Sequence, residues 1–149
     1  MHFSTVVSLA LAAVVAASPV RRDFTEDISV TDFYVHKAIT NGTTESTVDG
    51  VSFLLTGENA TDLACSAQTG IPSEVIFCGN SSYSFALWDE DASQGEFTLR
   101  LYHALGVGFG YYGEGLVPTY CHAGGGNSLS CGQVVTPVNI TIDSLPDKE

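Results

Sequence analysis

Apolar and polar residues alternate in short runs along the chain, and after residue 23 no apolar pattern recurs at helical spacing. The stretch "EFTLRLYHAL", which starts at Glu96, shows the alternation most clearly. One of its faces carries Phe97, Leu99, Leu101 and His103. This pattern predicts a strand with one face in the core and the other partly in water. Because it lies on the apolar face, His103 is expected to be a hydrogen-bonded residue at the rim rather than a ligand or a base.

Runs of this kind, rich in Val, Ile, Phe, Tyr and Thr, recur between clusters of Gly, Asn, Asp and Ser and predict nine strands. The predicted strands are Ile28–Ala38, Val51–Thr56, Asp62–Gln68, Glu74–Cys78, Tyr83–Trp88, Glu96–Ala104, Val107–Tyr112, Leu116–Cys121 and Gln133–Ile142. Between strands, "TNGTTES" predicts a tight turn, "WDEDASQGE" an acidic connection and "HAGGGNSLS" a flexible loop. So many short strands indicate an all-β fold, either a single compact antiparallel β-barrel or a β-sandwich. Pro137 cannot donate to a ladder, so the last strand is expected to be an edge or bulged there.

The stretch "GFGYYG", from Gly108 to Gly113, satisfies the G-x-G-x-x-G pattern of dinucleotide-binding turns. Such a turn needs a helix after it, and "YYGEGLVPTYC" contains too many helix breakers to supply one. Large residues at Phe109 and Tyr111 alternate instead with bare positions at Gly108 and Gly110. The stretch is therefore interpreted as a strand whose glycine side lets another strand, a ring or a ligand approach the backbone.

The N-terminal segment of the sequence bears on where the protein acts. The apolar run from Val6 to Ala17 suits a signal peptide over residues 1–17 and is shorter than the roughly 20 residues of a membrane-spanning helix. A dibasic pair, Arg21 and Arg22, then ends a short predicted propeptide over residues 18–22. The mature domain is expected to cover residues 23–149 and to be secreted, in the manner of a processed fungal precursor.

The mature chain is strongly acidic. It keeps Lys37, Arg100 and Lys148 as its Lys and Arg residues against 17 acids, which gives a formal charge of −14. Such a surface repels phosphate backbones and anionic membranes, so neither nucleic acid nor a membrane is an expected partner. A basic protein or a neutral small molecule remains as the candidate partner.

The four cysteines, Cys65, Cys78, Cys121 and Cys131, predict disulfides in a secreted chain. Three pairings exist, and we favour Cys65 with Cys78 and Cys121 with Cys131, because each pair brackets a short loop between neighbouring strands. A zinc site is the weaker interpretation, since the chain has no C-x-x-C motif.

Four sequons predict glycosylation at Asn41, Asn59, Asn80 and Asn139. Asn139 lies inside a predicted strand, so its use requires an outward-facing side chain.

Motifs for catalysis are missing from the sequence. It has no G-x-S-x-G or H-E-x-x-H motif, and His36, His103 and His122 share no spacing that predicts a site. The acidic trio Asp89–Asp91 could supply carboxylates for glycoside chemistry or calcium, but three adjacent acids in a turn are more often a solvated tip. We therefore expect no enzymatic activity, no catalytic residue, no metal and no cofactor.

Aromatic residues suggest a binding role instead. Six rings fall on neighbouring predicted strands, namely Tyr34, Tyr102, Phe109, Tyr111, Tyr112 and Tyr120. Tyrosine combines an apolar ring with a polar tip, which suits flat phenolic ligands or protein contacts. A place in the barrel core is the more frequent role for any one ring. The candidate ligand-binding residues are Tyr102, Gly108, Phe109, Gly110, Tyr111 and Tyr112.

Several longer segments carry a family resemblance. They are "VTDFYVHK", "DLACSAQ", "FCGNSSYSFALWD" and "LVPTYCHAGGGNSLSCGQ", the last followed by "VNITIDSLP". In this order they resemble segments of the Alternaria major allergen (Alt a) family of small secreted fungal proteins, over nearly the whole mature chain. The resemblance implies a compact β-barrel with the two disulfides favoured above.

The resemblance also implies a role for the protein. Members of that family are effectors or elicitors in the plant apoplast, and some are allergens. Some bind thaumatin-like plant defence proteins or a flavonol. The hypothesis is therefore a secreted effector and potential allergen that binds an apoplastic defence protein, with an extracellular carrier of phenolic or flavonoid ligands as the alternative. The founding allergen links two subunits through a cysteine near its mature N-terminus, and "DFTEDISVTDFY" has none, so a monomer or a non-covalent dimer is expected.

Overall fold

The structure is a computed structural model of the 149-residue chain. It describes residues 24–41, 45–69, 71, 74–91 and 95–144, of which residues 89–91 are described by their backbone alone. The predicted signal peptide, the predicted propeptide and the predicted start at Asp23 lie outside the described residues. In the described ranges, no helix is long and apolar enough to cross a membrane.

Nine strands make up the regular structure of the described residues. They are β1 (Thr25–Ile39), β2 (Ser46–Gly57), β3 (Ala60–Ala67), β4 (Ile76–Phe77), β5 (Tyr83–Asp91), β6 (Glu96–Gly106), β7 (Phe109–Gly124), β8 (Ser128–Gln133) and β9 (Val138–Asp143). All pairs are antiparallel, in the order β3-β2-β1-β8-β7-β6-β5-β4, and β9 pairs with β1 and β7. The predicted all-β antiparallel fold is confirmed.

Strand boundaries differ from the prediction around β7 and β8. The two strands predicted between Val107 and Cys121 form one continuous strand, because Gly113 and Gly115 pack closely against β9 and do not break the chain. The predicted flexible loop "HAGGGNSLS" is wrong: its ends belong to β7 and β8, and only residues 125–127 form the turn. The last predicted strand is divided by a bend at residues 134–137, which places Pro137 just outside the ladder.

One core lies on the inner face of the sheet. Alternate residues of β1, β2 and β6 point into it, and β5 is buried continuously from Tyr83 to Leu87. Its fully buried rings are Phe33, Phe53, Tyr83, Phe85 and Phe97. Phe53 and Phe85 meet edge to face with ring centroids 5.0 Å apart, which is a favoured aromatic geometry. Each buried Phe contributes about 2 kcal/mol of transfer free energy.

Two disulfides link neighbouring parts of the sheet. Cys65 on β3 bonds Cys78, which follows β4 directly, and β3 and β4 are the two ends of the strand order. Since no ladder between β3 and β4 is present in the described residues, this disulfide joins the two sheet edges. Cys121 and Cys131 bond directly across the β7–β8 pair. The predicted fold with two disulfides is confirmed.

Candidate functional site

The hairpin of β6 and β7 presents the most exposed apolar residues near the predicted ligand-binding positions. Gly106 pairs with Phe109, so Val107 and Gly108 form a two-residue turn. Gly108 has a φ of +72°, a left-handed conformation that glycine adopts without strain. Val107 is fully exposed, and Leu105 and Phe109 are also exposed. The predicted strand start at Val107 is therefore wrong, and the first glycine of "GFGYYG" belongs to the turn.

Beside the hairpin tip lies a concave surface of about 340 Å³. Its lining residues are Ser84, Tyr102, His103, Ala104, Gly106, Gly108, Phe109, Gly110, Tyr111 and Tyr112. The structure thus brings all six predicted ligand-binding residues together around one concavity. Whether a ligand binds there stays a prediction.

A strand, a ring or a ligand is expected to approach the backbone at the glycine positions. At Gly110 the structure shows the close approach of a strand, β6. A Cβ atom added at Gly110 would lie 2.5 Å from the carbonyl oxygen of His103 on β6. That distance is too short for any real side chain, so a larger residue would displace the strand. On the side of the missing Cβ the backbone at Gly110 is therefore covered by β6, while Gly110 still lines the concavity.

None of the six candidate rings is fully buried. Tyr34, Phe109 and Tyr120 are exposed, while Tyr102, Tyr111 and Tyr112 are half-buried. The interpretation as barrel core is wrong for the exposed rings, because the core is filled by rings from other positions, such as Phe33 and Phe97, and Tyr111 packs against that core from its edge. Exposed tyrosine rings are available for contacts with a ligand or a partner.

An ion pair borders the concavity on the outer face. Arg100 on β6 donates two hydrogen bonds, from Nε and one terminal nitrogen, to Glu114 Oε2 on β7, at 3.0 and 2.7 Å. The hydrogen bonds to Glu114 raise the pKa of the Arg100 guanidinium. Its carbon also lies 5.2 Å from the ring centre of Trp88. The positive charge on this face is therefore engaged by Glu114.

A buried polar network lies beneath the concavity. His103 Nδ1 donates to Glu26 Oε2 at 2.5 Å, and the Tyr83 hydroxyl donates to Glu26 Oε1 at 2.7 Å. The rings of Tyr83 and His103 stack with centroids 4.1 Å apart. The side-chain amide of Asn59 lies 3.3 Å from His103 Nε2, and its backbone N–H donates to the Tyr83 hydroxyl. His103 is thus hydrogen-bonded as predicted, but it lies in the core and not at its rim.

Burial and the hydrogen bond to Glu26 raise the pKa of Tyr83 to about 12. Glu26 is not among the predicted residues, because the predicted first strand begins at Ile28. Continuing the alternation of β1 backwards from Ile28 places Glu26 on the same inward face. A first strand extended in this way predicts a buried carboxylate at Glu26, and a buried carboxylate requires hydrogen-bond donors around it.

Comparisons with known proteins identify the family. The family model described as Alternaria alternata allergen 1 matches residues 30–131. The chain belongs to this family. It is 46% identical over 123 residues to the Effector protein PevD1 of Verticillium dahliae, which covers 82% of this chain and 74% of that protein.

Solved structures agree with the family assignment. One crystal structure of the Alternaria alternata allergen Alt a 1 matches with a TM-score of 0.61 and 27% identity, over 90% of this chain and 100% of that one. A second crystal structure of that allergen matches with a TM-score of 0.59 and 26% identity, over 85% and 98% of the two chains. The fold is therefore that of the Alternaria alternata allergen 1 family.

In this member of the Alternaria alternata allergen 1 family, the three histidines of the predicted domain have different surroundings. His103 is buried, whereas His36 on β1 and His122 on β7 both lie opposite Ser130 of β8. Among the described residues, no three His, Cys, Asp or Glu side chains converge in a way that could hold a metal ion. The acidic trio Asp89–Asp91 continues strand β5, so its assignment to the connecting turn is wrong.

The sequon asparagines of this family member lie in exposed positions. Asn41, Asn59 and Asn80 are in turns, and Asn139 points outward from β9, as its use requires. Thr43 of the first sequon lies outside the described residues. The amide of Asn59 also contacts the buried network, so a glycan there would be attached beside His103. Glycosylation at the four sites stays a prediction.

Proposed function

We propose that this protein is a secreted fungal effector, and a potential allergen, that acts by binding a defence protein in the plant apoplast. The observation that carries the proposal is the 46% identity, over 123 residues, to a protein named as an effector. Binding and not turnover is its mode of action. The secreted form begins at Asp23 after loss of residues 1–17 and 18–22, and N-terminal sequencing of the secreted protein tests that start.

Surface charge supports a basic partner. In the described residues, Lys37 is buried and Arg100 is paired with Glu114, so these two cations offer little to an acidic partner. The mature chain carries 17 acids against three Lys or Arg residues. Complementary charge speeds association and disfavours partners of like charge. A basic thaumatin-like defence protein is a partner of this kind.

The β6–β7 hairpin tip provides an apolar contact for such a partner. Leu105, Val107 and Phe109 are exposed at one end of the acidic domain. Exposed apolar residues surrounded by polar surface are typical of protein interfaces, and a few buried anchors usually carry most of the binding energy. We infer that the hairpin tip enters a depression on the partner while the acidic surface orients the complex.

A pull-down from plant apoplastic fluid, at low and at moderate salt, tests this function. We expect a basic protein to be retained at low salt and to be retained less at moderate salt, because salt screens charge attraction. Val107→Ser should weaken retention, whereas Val135→Ser, at another exposed turn, should not. Failure to retain any basic protein at either salt would refute the proposal.

The concavity supports a second function, the carriage of flat phenolic ligands. Tyr102, Phe109, Tyr111 and Tyr112 surround it, and its volume of about 340 Å³ suits a small molecule. Titration with a panel of flavonols should quench the fluorescence of Trp88 and the tyrosines. Tyr102→Ala should weaken the binding, and Phe77→Ala, an exposed ring on β4, should leave it unchanged. A flat titration would exclude this function.

A further inference from the structure

A second surface, away from the hairpin tip, combines exposed rings with small polar residues. It is the outer face of five neighbouring strands, β3, β2, β1, β8 and β7. Two rows of paired residues cross it, and together they are called the tyrosine face. The first row is Ser66, Ser52, Tyr34, Gly132 and Tyr120, and the second is Gly50, His36, Ser130 and His122.

An open slot separates the two tyrosines. Tyr34 and Tyr120 both lie directly opposite Gly132, so their strands are two spacings apart, about 10 Å. Tyr34 is 40% exposed and Tyr120 is 68% exposed. A Cβ atom added at Gly132 would meet nothing within 4 Å. The position above Gly132 is therefore open, and the Tyr34 ring leans towards β8, where its hydroxyl lies 2.9 Å from Ser130 Oγ.

The slot continues into a longer depression. On the other side of Tyr34 lies a cavity of about 530 Å³ lined by small and polar residues, among them Gly50, Ser52, Ser66 and Gln68. Together, the five strands span about 19 Å across the face. That length exceeds one flat phenolic molecule and matches several linked rings.

Hydrogen bonds fix some of the side chains and leave others open. The Tyr34 hydroxyl and Ser130 Oγ are 2.9 Å apart, and His36 Nδ1 lies 2.5 Å from Asp49 Oδ1. Ser52, Ser66 and His122 are exposed. The residues of the two rows include no Lys or Arg, so the face offers no fixed positive charge to a phosphate or a uronate. Its chemistry suits a neutral ligand with apolar ring faces and many hydroxyls.

We propose that the tyrosine face binds a neutral, β-linked cell-wall polysaccharide. A pyranose ring has C–H groups on its two faces and hydroxyls around its rim. One sugar lies over Gly132, with an apolar face against the exposed ring of Tyr34 or of Tyr120. The neighbouring sugars lie over the cavity, where Ser52 and Ser66 bind their hydroxyls. This function goes beyond host-protein binding and uses a different part of the sheet, because β7 contributes Phe109 to the hairpin tip and Tyr120 to the tyrosine face.

Calorimetric titration of the secreted protein with three soluble hexasaccharides tests whether the tyrosine face binds a polysaccharide, and whether that polysaccharide comes from a plant or a fungal wall. Cellohexaose represents the plant wall, while chitohexaose and laminarihexaose represent glycans of fungal walls. We expect binding to at least one of them, and Tyr34→Ala or Tyr120→Ala should weaken it about tenfold. Leu116→Ala is the matched control: it is an exposed residue on the same strand as Tyr120, outside the two rows, and should bind as the wild type.

Gly132→Val keeps the proposal testable if a tyrosine variant folds poorly. Valine is well suited to a strand, and its side chain meets open space at this position, so the variant should keep the wild-type circular dichroism spectrum and melting temperature. It should abolish binding because it fills the slot. Unchanged binding by Gly132→Val, or no binding of any hexasaccharide at millimolar concentration, overturns the proposal. A dimer that Gly132→Val dissociates, together with no hexasaccharide binding, would identify the face as a self-association surface and overturn it as well.

Discussion

Glu26 organises the buried polar network. Its side chain is fully buried, and its two carboxylate oxygens accept hydrogen bonds from Tyr83, from His103 and from the backbone N–H of Glu58. A buried carboxylate is tolerated only when such partners replace the lost water. The network therefore ties the start of β1 to strands β5 and β6 and to the β2–β3 turn.

Replacing Glu26 should be among the most damaging single changes in the domain. Glu26→Ala leaves His103 and Tyr83 buried without their shared acceptor, and breaking such a pair costs about 3 to 5 kcal/mol. Urea unfolding at neutral pH measures the loss. Glu58→Ala is the control, because that side chain is exposed and only its backbone contacts Glu26. Equal losses in the two variants would show that the network does not stabilise the fold.

Tyr83 should impose a limit on alkaline stability. Its pKa is raised from 10.0 to about 12, by burial first and then by the hydrogen bond to Glu26. Because the folded state holds this proton more tightly than the unfolded chain, the stabilisation is complete below pH 10. It is lost as the pH rises from 10 to 12, by about 1.4 kcal/mol per pH unit.

Urea unfolding of the wild type and of Tyr83→Phe between pH 9 and 12 tests this dependence. The variant lacks the phenol proton, so its unfolding free energy should decrease less over that range. Tyr120→Phe, at an exposed ring, should behave as the wild type. Parallel pH profiles for wild type and Tyr83→Phe would contradict the assignment.

At the residue scale, alternation predicts which face a side chain occupies but not which partner it meets. Period two correctly places His103 on the apolar face of β6, and the same period places Lys37 inward on β1, where it is fully buried. Their contacts depend on register: Lys37 Nζ lies 5.0 Å from the centre of the Phe97 ring, 60 positions along the chain. No local pattern contains that pairing.

At the element scale, glycine has two opposite roles in the β6–β7 hairpin. Gly108 permits the turn through its left-handed backbone, whereas Gly110 permits close approach of β6. A sequence pattern shows only that glycines are present. The prediction therefore located the turn wrongly and left Gly113 and Gly115 between two separate strands, although they receive Ile142 and Ile140 of β9.

Alanine at Gly110 should distort the hairpin. The added Cβ would lie 2.5 Å from the His103 carbonyl oxygen, so the strands must separate, at a cost of about 1 to 3 kcal/mol. Gly106→Ala is the control on the same hairpin, because its Cβ would meet nothing within 4 Å. Thermal unfolding measures both variants. If Gly110→Ala is as stable as Gly106→Ala, the close approach is not a constraint on this strand.

At the scale of the whole molecule, the nine-stranded sheet leaves two free edges, and a disulfide joins them. The short loops favoured the pairing Cys65–Cys78, but they did not indicate that β3 and β4 would end the strand order. That position follows from the long strands β1 and β7, each of which pairs with both β8 and β9. Edge positions depend on the complete set of pairings, so local sequence could not supply them.

The two disulfides should therefore differ in what their loss exposes. They close loops of similar size, with sequence separations of 13 and 10, and each should stabilise the domain by about 3 kcal/mol. Cys121 and Cys131 lie on strands that a ladder already holds together, whereas β3 and β4 share no ladder in the described residues. Loss of the first bridge should open the sheet edges, and loss of the second should not.

Amide hydrogen exchange distinguishes the two cases. In the double variant Cys65→Ala/Cys78→Ala, the amides of β3 and β4 should exchange faster than in the wild type. The increase should exceed what the global loss of stability explains, because local opening exposes an unpaired edge. In Cys121→Ala/Cys131→Ala, exchange should rise only as far as the global loss requires. An exposed edge also templates pairing with other chains, so the first variant should aggregate at lower concentration. Identical exchange patterns in the two variants would mean that the sheet edges stay together without the Cys65–Cys78 bridge.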